Sequence, residues 1–354
     1  MDQLKITLLG VLRVSQGDHV ITGFRTQKVL ALLALLAAEP ETAHRREELM
    51  TLLWPGMPDK SARQNLRQVL YHLRQAIPGV SPHPVNDSAG DLVPLVVADR
   101  QTIQKNPETA VSIDAAAFDD LLDQSRAHDH VELMTCLTCY ETLSSAVALY
   151  RGDFLAEFYL EDSNEFEAWA EEKSQAYRRK ILDALETLAT IAMRRKSYPE
   201  ARAYADQQLQ IDDLRESAYR QLMEILVRSG QRSEALLVYE TCRRLFAEEL
   251  GMAPALRTTN LYEQILAGDL HLEDRTARGV RGYELKEEIG AGAYGEIFRA
   301  VQPAISREVA IKVIRRRFAD DPRFIRRFEA EAQTIARLEH PHIVPLYDYW
   351  REPE

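Results

Sequence analysis

Cysteine is scarce in this chain, with three in 354 residues. So few cysteines cannot build the dense disulfide framework of small secreted domains, which indicates a reducing compartment. The longest apolar run, Val29 to Ala38, is about half of what a membrane-spanning helix needs. No charged and apolar leader with a cleavage site opens the sequence. These absences predict a cytoplasmic protein with no membrane segment.

Basic residues are outnumbered, 44 to 55, and the net charge is −11. The acidic excess is confined to the middle of the chain. Residues 1–110 carry 12 basic and 11 acidic side chains, residues 111–275 carry 18 and 31, and residues 276–354 carry 14 and 13. A middle segment of that charge is poorly suited to lie along nucleic acid, so any DNA contact is expected from the first segment.

No Asp or Glu occurs between Ser61 and Ile77. At about 3.6 residues per turn, the apolar residues of this stretch share one face of a core-facing helix: Leu66, Val69, Leu70, Leu73 and Ile77. The other faces carry residue types that contact phosphates and base edges in a major groove. The candidate DNA-contacting residues are Arg63, Gln64, Asn65, Arg67, Gln68, Tyr71 and Arg74. The alternative is an ordinary amphipathic helix with a solvated polar face.

The sequence around this helix predicts a small sheet, three helices and a terminal hairpin. Strand-like alternation runs from Leu4 to Val14. Helices are predicted over Thr26–Ala38 and Arg45–Leu53, each ended by a proline just beyond it. Val80 to Val97 predicts a hairpin with its turn at Asp87 to Gly90. This order of elements is typical of a winged helix-turn-helix, with the third helix in the DNA groove and the hairpin as wing.

Three runs of the first segment are similar to a known family: L-L-G-V-L-R-V at 8–14, R-R-E-E-L-M-T-L-L-W-P at 45–55 and A-R-Q-N-L-R-Q-V-L-Y-H-L-R at 62–74. They resemble the OmpR-type winged helix of SARP-type bacterial transcriptional activators, which implies binding to double-stranded DNA. The polar stretch Ala98 to Ser112 departs from that family as an insert, and Pro82, Pro84 and Pro94 make the wing unusual. Residues 1–112 are assigned to this DNA-binding domain.

Residues 113–268 have a helical period throughout and contain an internal repeat. Glu200-Ala201 and Glu234-Ala235 are 34 residues apart, as are Leu188 and Leu222. This is the tetratricopeptide period, in which small residues let paired helices approach and the pairs stack. Such stacks bind proteins, so a protein partner or self-association is expected. A plain helical bundle is the alternative.

Four further runs of this segment carry a family resemblance: Y-R-G-D-F-L at 150–155, E-F-E-A-W at 165–169, E-S-A-Y-R-Q-L-M at 216–223 and L-G-M-A-P at 250–254. They resemble the bacterial transcriptional activation domain that follows the winged helix in SARP-type activators. The resemblance implies a dimer bound to repeated half-sites on DNA.

Four zinc-ligand residue types occur within twelve residues: His128, His130, Cys136 and Cys139. Only five residues separate His130 from Cys136, fewer than in the loops that usually let two ligand pairs face each other. Val131 to Leu143 also predicts a continuous helix, which favours buried helical cysteines. No metal site is therefore predicted.

A charged linker, residues 269–282, precedes a glycine-rich segment. Three glycines in the spacing G-x-G-x-x-G are weak evidence alone, but V-A-I-K at 309–312, R-F-E-A-E-A at 327–332 and H-P-H-I-V-P-L-Y-D at 340–348 follow them. Together they resemble the N-terminal lobe of a Hanks-type Ser/Thr protein kinase over residues 283–354. A dinucleotide-binding motif would need a helix after the glycines, whereas strand-like sequence lies on both sides here.

The kinase resemblance implies a set of ATP-binding residues: Gly290, Gly292, Gly295, Ile297, Ala310, Lys312 and Glu331. In that family the lysine holds the phosphates and the glutamate pairs with the lysine, while a complete kinase uses ATP with magnesium. Glu329 is the alternative to Glu331. No H-R-D, D-F-G or A-P-E motif occurs in the 354 residues, so phosphoryl transfer by the chain as given is not expected.

The sequence thus predicts a multidomain, mainly α protein with a winged helix-turn-helix, a tetratricopeptide-like helical domain, and a partial kinase lobe made of an antiparallel sheet and one helix. Its predicted function is DNA-binding transcriptional regulation coupled to a kinase module that is truncated in this chain. Two alternatives remain open. The full parent chain is a Ser/Thr kinase whose front domains target or regulate it, or the protein is a scaffold that binds neither DNA nor ATP.

Overall fold

A computed structural model describes residues 3–82, 92–128, 136–268, 279–280, 283–292, 295–302, 307–314, 322–335 and 346–347. The chain divides into two compact units, Met1–Asp269 and Leu270–Glu354. Among the described residues, no helix combines the length and the apolar character that a membrane crossing requires.

The elements of the first unit, in chain order, are β1 (Leu4–Thr7), β2 (Arg13–Gln16), β3 (His19–Val20), α1 (Gln27–Ala38), β4 (His44–Arg45), α2 (Arg46–Leu53), α3 (Asp59–Ala76), β5 (Val96–Ala98), β6 (Thr102–Lys105), β7 (Val111–Ile113), α4 (Asp114–Ala127), α5 (Leu137–Leu149), α6 (Asn164–Arg194), α7 (Tyr198–Ile211), α8 (Glu216–Arg228), α9 (Arg232–Glu249) and α10 (Leu256–Ala267). The first 113 residues form a winged helix-turn-helix. One sheet has the strand order β3-β2-β1-β7 and the other has the order β4-β6-β5.

The three predicted helices of the winged helix are confirmed. Helices α1 and α2 each begin one residue after the predicted start, and α3 begins two residues before it. The predicted apolar face of α3 is buried, with Leu66 and Leu73 1% exposed. Because that face packs into the core, the Arg- and Gln-rich faces of α3 are turned outward.

The predicted hairpin over Val80 to Val97 is described only in part, and a second hairpin follows it. Val80 and Val93 exchange two backbone hydrogen bonds of 2.9 and 3.0 Å, but the predicted turn at 87–90 lies outside the described residues. β5 pairs with β6, so the stretch interpreted as an insert, Ala98 to Ser112, supplies the turn and the second strand of a tight hairpin. The Asp99 carboxylate fixes this turn by accepting the N–H groups of Gln101 and Thr102, each at 2.6 Å. The stretch interpreted as an insert therefore has regular strand structure.

The winged helix and helices α4 to α6 share one hydrophobic core, which extends along the sequence from Leu4 to Leu188. The buried carboxylate of Asp114, at the start of α4, accepts the N–H of Leu8 at 2.7 Å and of Leu9 at 3.1 Å. Gly10, at a φ of +119°, gives its N–H to the Asp153 carbonyl at 3.0 Å. The first segment is thus joined to the helical segment by backbone as well as by apolar contacts.

The predicted helical repeat is confirmed by two packed helix pairs, α6 with α7 and α8 with α9. Ala201 and Ala235, which occupy equivalent repeat positions, are both 0% exposed. Their small side chains let the paired helices approach closely. Arg202 of the first pair donates to Glu234 of the second at 2.9 Å, which ties successive pairs together.

The second unit contains β8 (Gly279–Val280), β9 (Tyr283–Gly292), β10 (Gly295–Gln302), β11 (Arg307–Ile314) and α11 (Pro322–Ile335). Its strands form an antiparallel sheet in the order β11-β10-β9-β8. An antiparallel sheet with one helix is the architecture that the sequence predicts for this segment. The predicted linker lies mostly outside the described residues.

Candidate functional site

Helix α3 presents a row of basic and polar side chains to solvent. Arg63, Arg67 and Arg74 are exposed on this helix, and the Tyr71 side chain between them is 59% exposed. Among the described residues, no acidic side chain pairs with Arg67 or Arg74. Arg63 lies 3.7 Å from Glu47 of α2, with both side chains more than half exposed, so this ion pair stabilises the fold little.

The β5–β6 turn and the start of α2 face this row across an open groove of about 940 Å³. Strand β4 pairs with β6 and leads directly into α2, so the pairing places Arg45 and Arg46 at the groove. The Arg46 N–H donates to the Gln101 carbonyl at 2.9 Å, and its Nε donates to the Asp99 carbonyl at 2.9 Å. The turn that carries Arg100 is therefore docked on the N-terminus of α2.

Six arginines line the groove, against two acidic residues: Arg45, Arg46, Arg63, Arg67, Arg74 and Arg100, with Glu47 and Asp99. The Asp99 carboxylate is engaged within its own turn, and the N–H groups of Thr102 and Gln101 lower its pKa. Burial and the nearby charges of Arg67 and Arg74 lower the pKa of Arg46. The guanidinium groups therefore repel one another, and a polyanion in the groove would relieve that repulsion.

The predicted DNA-contacting residues divide into three groups. Arg63, Arg67, Tyr71 and Arg74 line the groove. Gln64 and Gln68 are exposed on α3 outside the groove lining. Asn65 is half-buried, and its Nδ2 donates to the Met57 sulfur at 3.2 Å, so it supports the loop before α3. All seven assignments remain predictions, since no contact to DNA is present to test them.

Sequence reasoning missed Arg45, Arg46 and Arg100 as members of this surface. The signal for Arg100 was available, because V-V-A and T-I-Q-K flank an Asp-x-x-Thr turn and show the alternation of a hairpin. Arg45 and Arg46 reach the groove through the pairing of β4 with β6, which joins residues almost 60 positions apart. No local pattern of residues reports such a pairing.

The residues implied for ATP binding lie on three strands and one helix of the second unit. Gly290 and Gly292 end β9, and Gly295 begins β10, where a Cβ would lie 2.2 Å from the Val313 carbonyl oxygen. Ile297 stands opposite both Gly290 and Lys312, which places the glycine strands beside the lysine strand. Ala310 lies on the same strand as Lys312.

In the part of the kinase segment that the structure describes, the ion pair implied by the kinase resemblance is absent. Lys312 of β11 and Glu331 of α11 are both exposed, and neither pairs with the other among the described residues. Glu329, the alternative to Glu331, is exposed on the same helix. The strands are thus arranged as the resemblance implies. The implied pairing of the lysine with a helix glutamate is not seen among the described residues.

Two family models match this chain, one in each of its two compact units. Residues 113–266 match the family model of the bacterial transcriptional activator domain. The chain contains such an activator domain. Residues 283–354 match the model of the protein kinase domain, so a Ser/Thr kinase segment follows the activator domain in the sequence.

Curated Ser/Thr protein kinases match the kinase segment. The chain is 45% identical over 67 residues to the Ser/Thr protein kinase PknA of Mycobacterium tuberculosis, covering 19% of this chain and 16% of that protein. It is 42% identical over 72 residues to PrkC of Bacillus subtilis, covering 20% and 11%. The matched region thus spans a small part of each kinase.

A solved structure resembles most of the fold. The structure of Mycobacterium tuberculosis EmbR in complex with a low-affinity phosphopeptide matches with a TM-score of 0.57 and 19% identity. The match covers 88% of this chain and 79% of the EmbR chain. At this identity the likeness concerns the fold alone.

Proposed function

We propose that the chain is a DNA-binding transcriptional regulator whose winged helix holds duplex DNA in the groove between α3 and the β5–β6 turn. The observation that carries this proposal is the convergence of six arginines on a groove with two acidic residues. Duplex DNA presents about one negative charge per 1.7 Å of its axis, and arginine side chains bind its phosphates and guanine edges.

In a winged helix-turn-helix the third helix enters the major groove and neighbouring elements contact the backbone. Arg67 and Arg74, at the centre of the exposed face of α3, are placed to read bases or to bind phosphates. Arg46 and Arg100, at the docked turn, are placed to bind the backbone beside them. The wing in this proposal is the β5–β6 hairpin and not the residues around the predicted turn at 87–90.

The activator domain has a different part in this proposal. Residues 111–275 carry 31 acidic against 18 basic side chains, so they are repelled by DNA. The helix pairs α6–α7 and α8–α9 provide the kind of stacked surface that binds a protein. We assign to them a protein partner or a second copy of the chain, in the cytoplasm, with two copies on repeated half-sites.

The kinase segment supports a second candidate function. The segment matches the protein kinase model, and Gly290, Gly295 and Lys312 lie on its strands β9, β10 and β11. In complete kinases the corresponding strands form the sheet that faces ATP, and the nucleotide is used with magnesium. We propose that, with the remainder of a kinase domain present, these strands hold the nucleotide phosphates and the front unit targets or regulates phosphoryl transfer. Closure of Lys312 onto Glu331 would be required for that activity.

Fluorescence anisotropy of a labelled DNA duplex tests the leading proposal on the full chain. We expect binding whose affinity falls linearly with salt on a logarithmic scale, with a slope of up to about −5 if all six arginines contact phosphate. Polyglutamate of equal charge should displace the duplex poorly, because the groove is proposed to read a double helix. Salt-independent binding, or equal displacement by polyglutamate, would argue for an acidic protein partner instead.

A further inference from the structure

The end of α4 and the start of α5 bring three soft ligand atoms together. His128 follows the last residue of α4, while Cys136 and Cys139 lie at the first turn of α5. The His128 ring nitrogen and the two sulfur atoms all lie within 4.8 Å of one another. The predicted helix over Val131 to Leu143 was wrong at Cys136, because α5 begins at Leu137.

The separations within this cluster match those of a metal site. His128 Nδ1 lies 3.5 Å from Cys136 Sγ and 3.3 Å from Cys139 Sγ. In tetrahedral zinc coordination, with Zn–S of about 2.3 Å and Zn–N of about 2.05 Å, a sulfur and a nitrogen ligand lie about 3.6 Å apart. Both nitrogen–sulfur separations are therefore within a few tenths of an ångström of the value that zinc coordination requires.

The start of α5 favours a negative charge on the sulfur of Cys136. The Cys139 N–H donates to Cys136 Sγ at 3.5 Å, and Cys136 is the N-cap of α5, where the helix dipole stabilises negative charge. Cys139 is fully buried while Cys136 is half-buried. One side of the cluster is thus fixed by packing, and the other is open to an entering ion and to water.

We propose that His128, Cys136 and Cys139 bind one zinc ion, with water as the fourth ligand, and that the ion ties the end of α4 to the start of α5. Binding removes the proton from each thiol and releases both to solvent, while the neutral imidazole donates a nitrogen lone pair. The short spacing between His130 and Cys136 does not argue against these three ligands. That argument assumed two ligand pairs facing each other, whereas here a single histidine lies beside the two cysteines of a C-x-x-C turn. His130 lies outside the described residues and has no role in the proposal.

Metal titration of the reduced, chelator-treated full chain tests this proposal. We expect uptake of about one cobalt ion per chain, with the thiolate charge-transfer absorption and the intense d–d bands of tetrahedral coordination, and displacement of cobalt by zinc. Cys136→Ser and His128→Ala should each weaken zinc binding by more than the 10- to 100-fold that is typical of losing a supporting residue. Cys242→Ala is the matched control, because it removes a buried cysteine of α9 and should leave uptake unchanged.

Thermal unfolding supplies a second readout that does not depend on the absorption bands. Zinc in excess should raise the midpoint of wild type and of Cys242→Ala, since a ligand of the folded state stabilises it, and should not raise that of Cys136→Ser. Failure of the reduced wild type to bind cobalt or zinc would overturn the proposal. So would full uptake by Cys136→Ser, or a chain that forms a Cys136–Cys139 disulfide on mild oxidation but takes up no metal when reduced.

Discussion

Joint replacement of Arg67 and Arg74 with alanine is expected to remove specific duplex binding and to leave the fold intact. Loss of a base-reading arginine costs about 1 to 3 kcal/mol of binding free energy and relaxes the sequence preference. Loss of a phosphate contact instead lowers the salt slope by about one unit. Anisotropy titrations across salt concentrations separate the two cases, since the slope reports phosphate contacts and competition between sequences reports base contacts.

The stability of this double variant is expected to stay the same or to increase. Both side chains are exposed on α3, and neither has an acidic partner among the described residues. Their charges add to burial in lowering the pKa of Arg46, which means that they repel its guanidinium in the folded state. Thermal unfolding followed by circular dichroism should therefore show a midpoint no lower than that of wild type.

Arg243 and Arg244 provide the matched control for this experiment. They are exposed neighbours on α9 of the activator domain, and their joint replacement with alanine changes the net charge by the same amount. That variant should bind duplex DNA as wild type does. If it lost as much affinity as the α3 variant, overall charge and not the groove would account for binding.

Replacement of Asp114 with alanine is expected to lower the free energy of unfolding of the first unit by about 2 to 4 kcal/mol. Leu8 and Leu9, whose N–H groups this carboxylate accepts, are 0% and 1% exposed. A buried donor left without a partner costs about 1 to 3 kcal/mol. Burial raises the pKa of Asp114, and the N–H groups of Leu8, Leu9 and Ala115 oppose that shift by favouring the carboxylate.

Urea unfolding of the full chain, with fluorescence of the Trp54 and Trp169 environments as probe, measures this loss. Asp114→Asn should fall between wild type and the alanine variant, because it keeps one acceptor oxygen. Asp120→Ala is the matched control, since Asp120 is exposed on the same helix, and it should change stability by less than about 0.5 kcal/mol. Equal losses at the two positions would show that the bonds from Asp114 to the first strand do not carry the stability assigned to them.

The periodicity of the sequence predicted those features of the fold that depend on residues close to one another in the chain or in equivalent positions of a repeat. The apolar spacing of Leu66, Val69, Leu70 and Leu73 identified the buried face of α3, and all four are at most 6% exposed. The equivalence of Ala201 and Ala235 likewise identified the close contacts of the helical repeat. In both cases the signal lies within one helix or one repeat, where sequence distance and spatial distance are linked.

The features that the sequence did not predict depend on contacts between distant residues or on a change of chain direction. Arg46 reaches the groove because β4 pairs with β6, and the turn at Asp99 was interpreted as part of an insert. His128 meets Cys136 and Cys139 because α4 packs against α5, which a count of intervening residues does not reveal. Lys312 and Glu331, which the motifs pair, are both exposed, and motif order does not specify such a contact between a strand and a helix.

Photo-cross-linking from position 71 tests the central claim most directly. With p-benzoylphenylalanine in place of Tyr71, whose side chain is 59% exposed in the groove, ultraviolet light should join the full chain to duplex DNA, and the yield should fall as salt rises. The same group in place of Leu237, 66% exposed on α9, should give no cross-link. Equal yields from both positions, or a cross-link from position 237 alone, would contradict the assignment of the arginine groove as the DNA-binding surface.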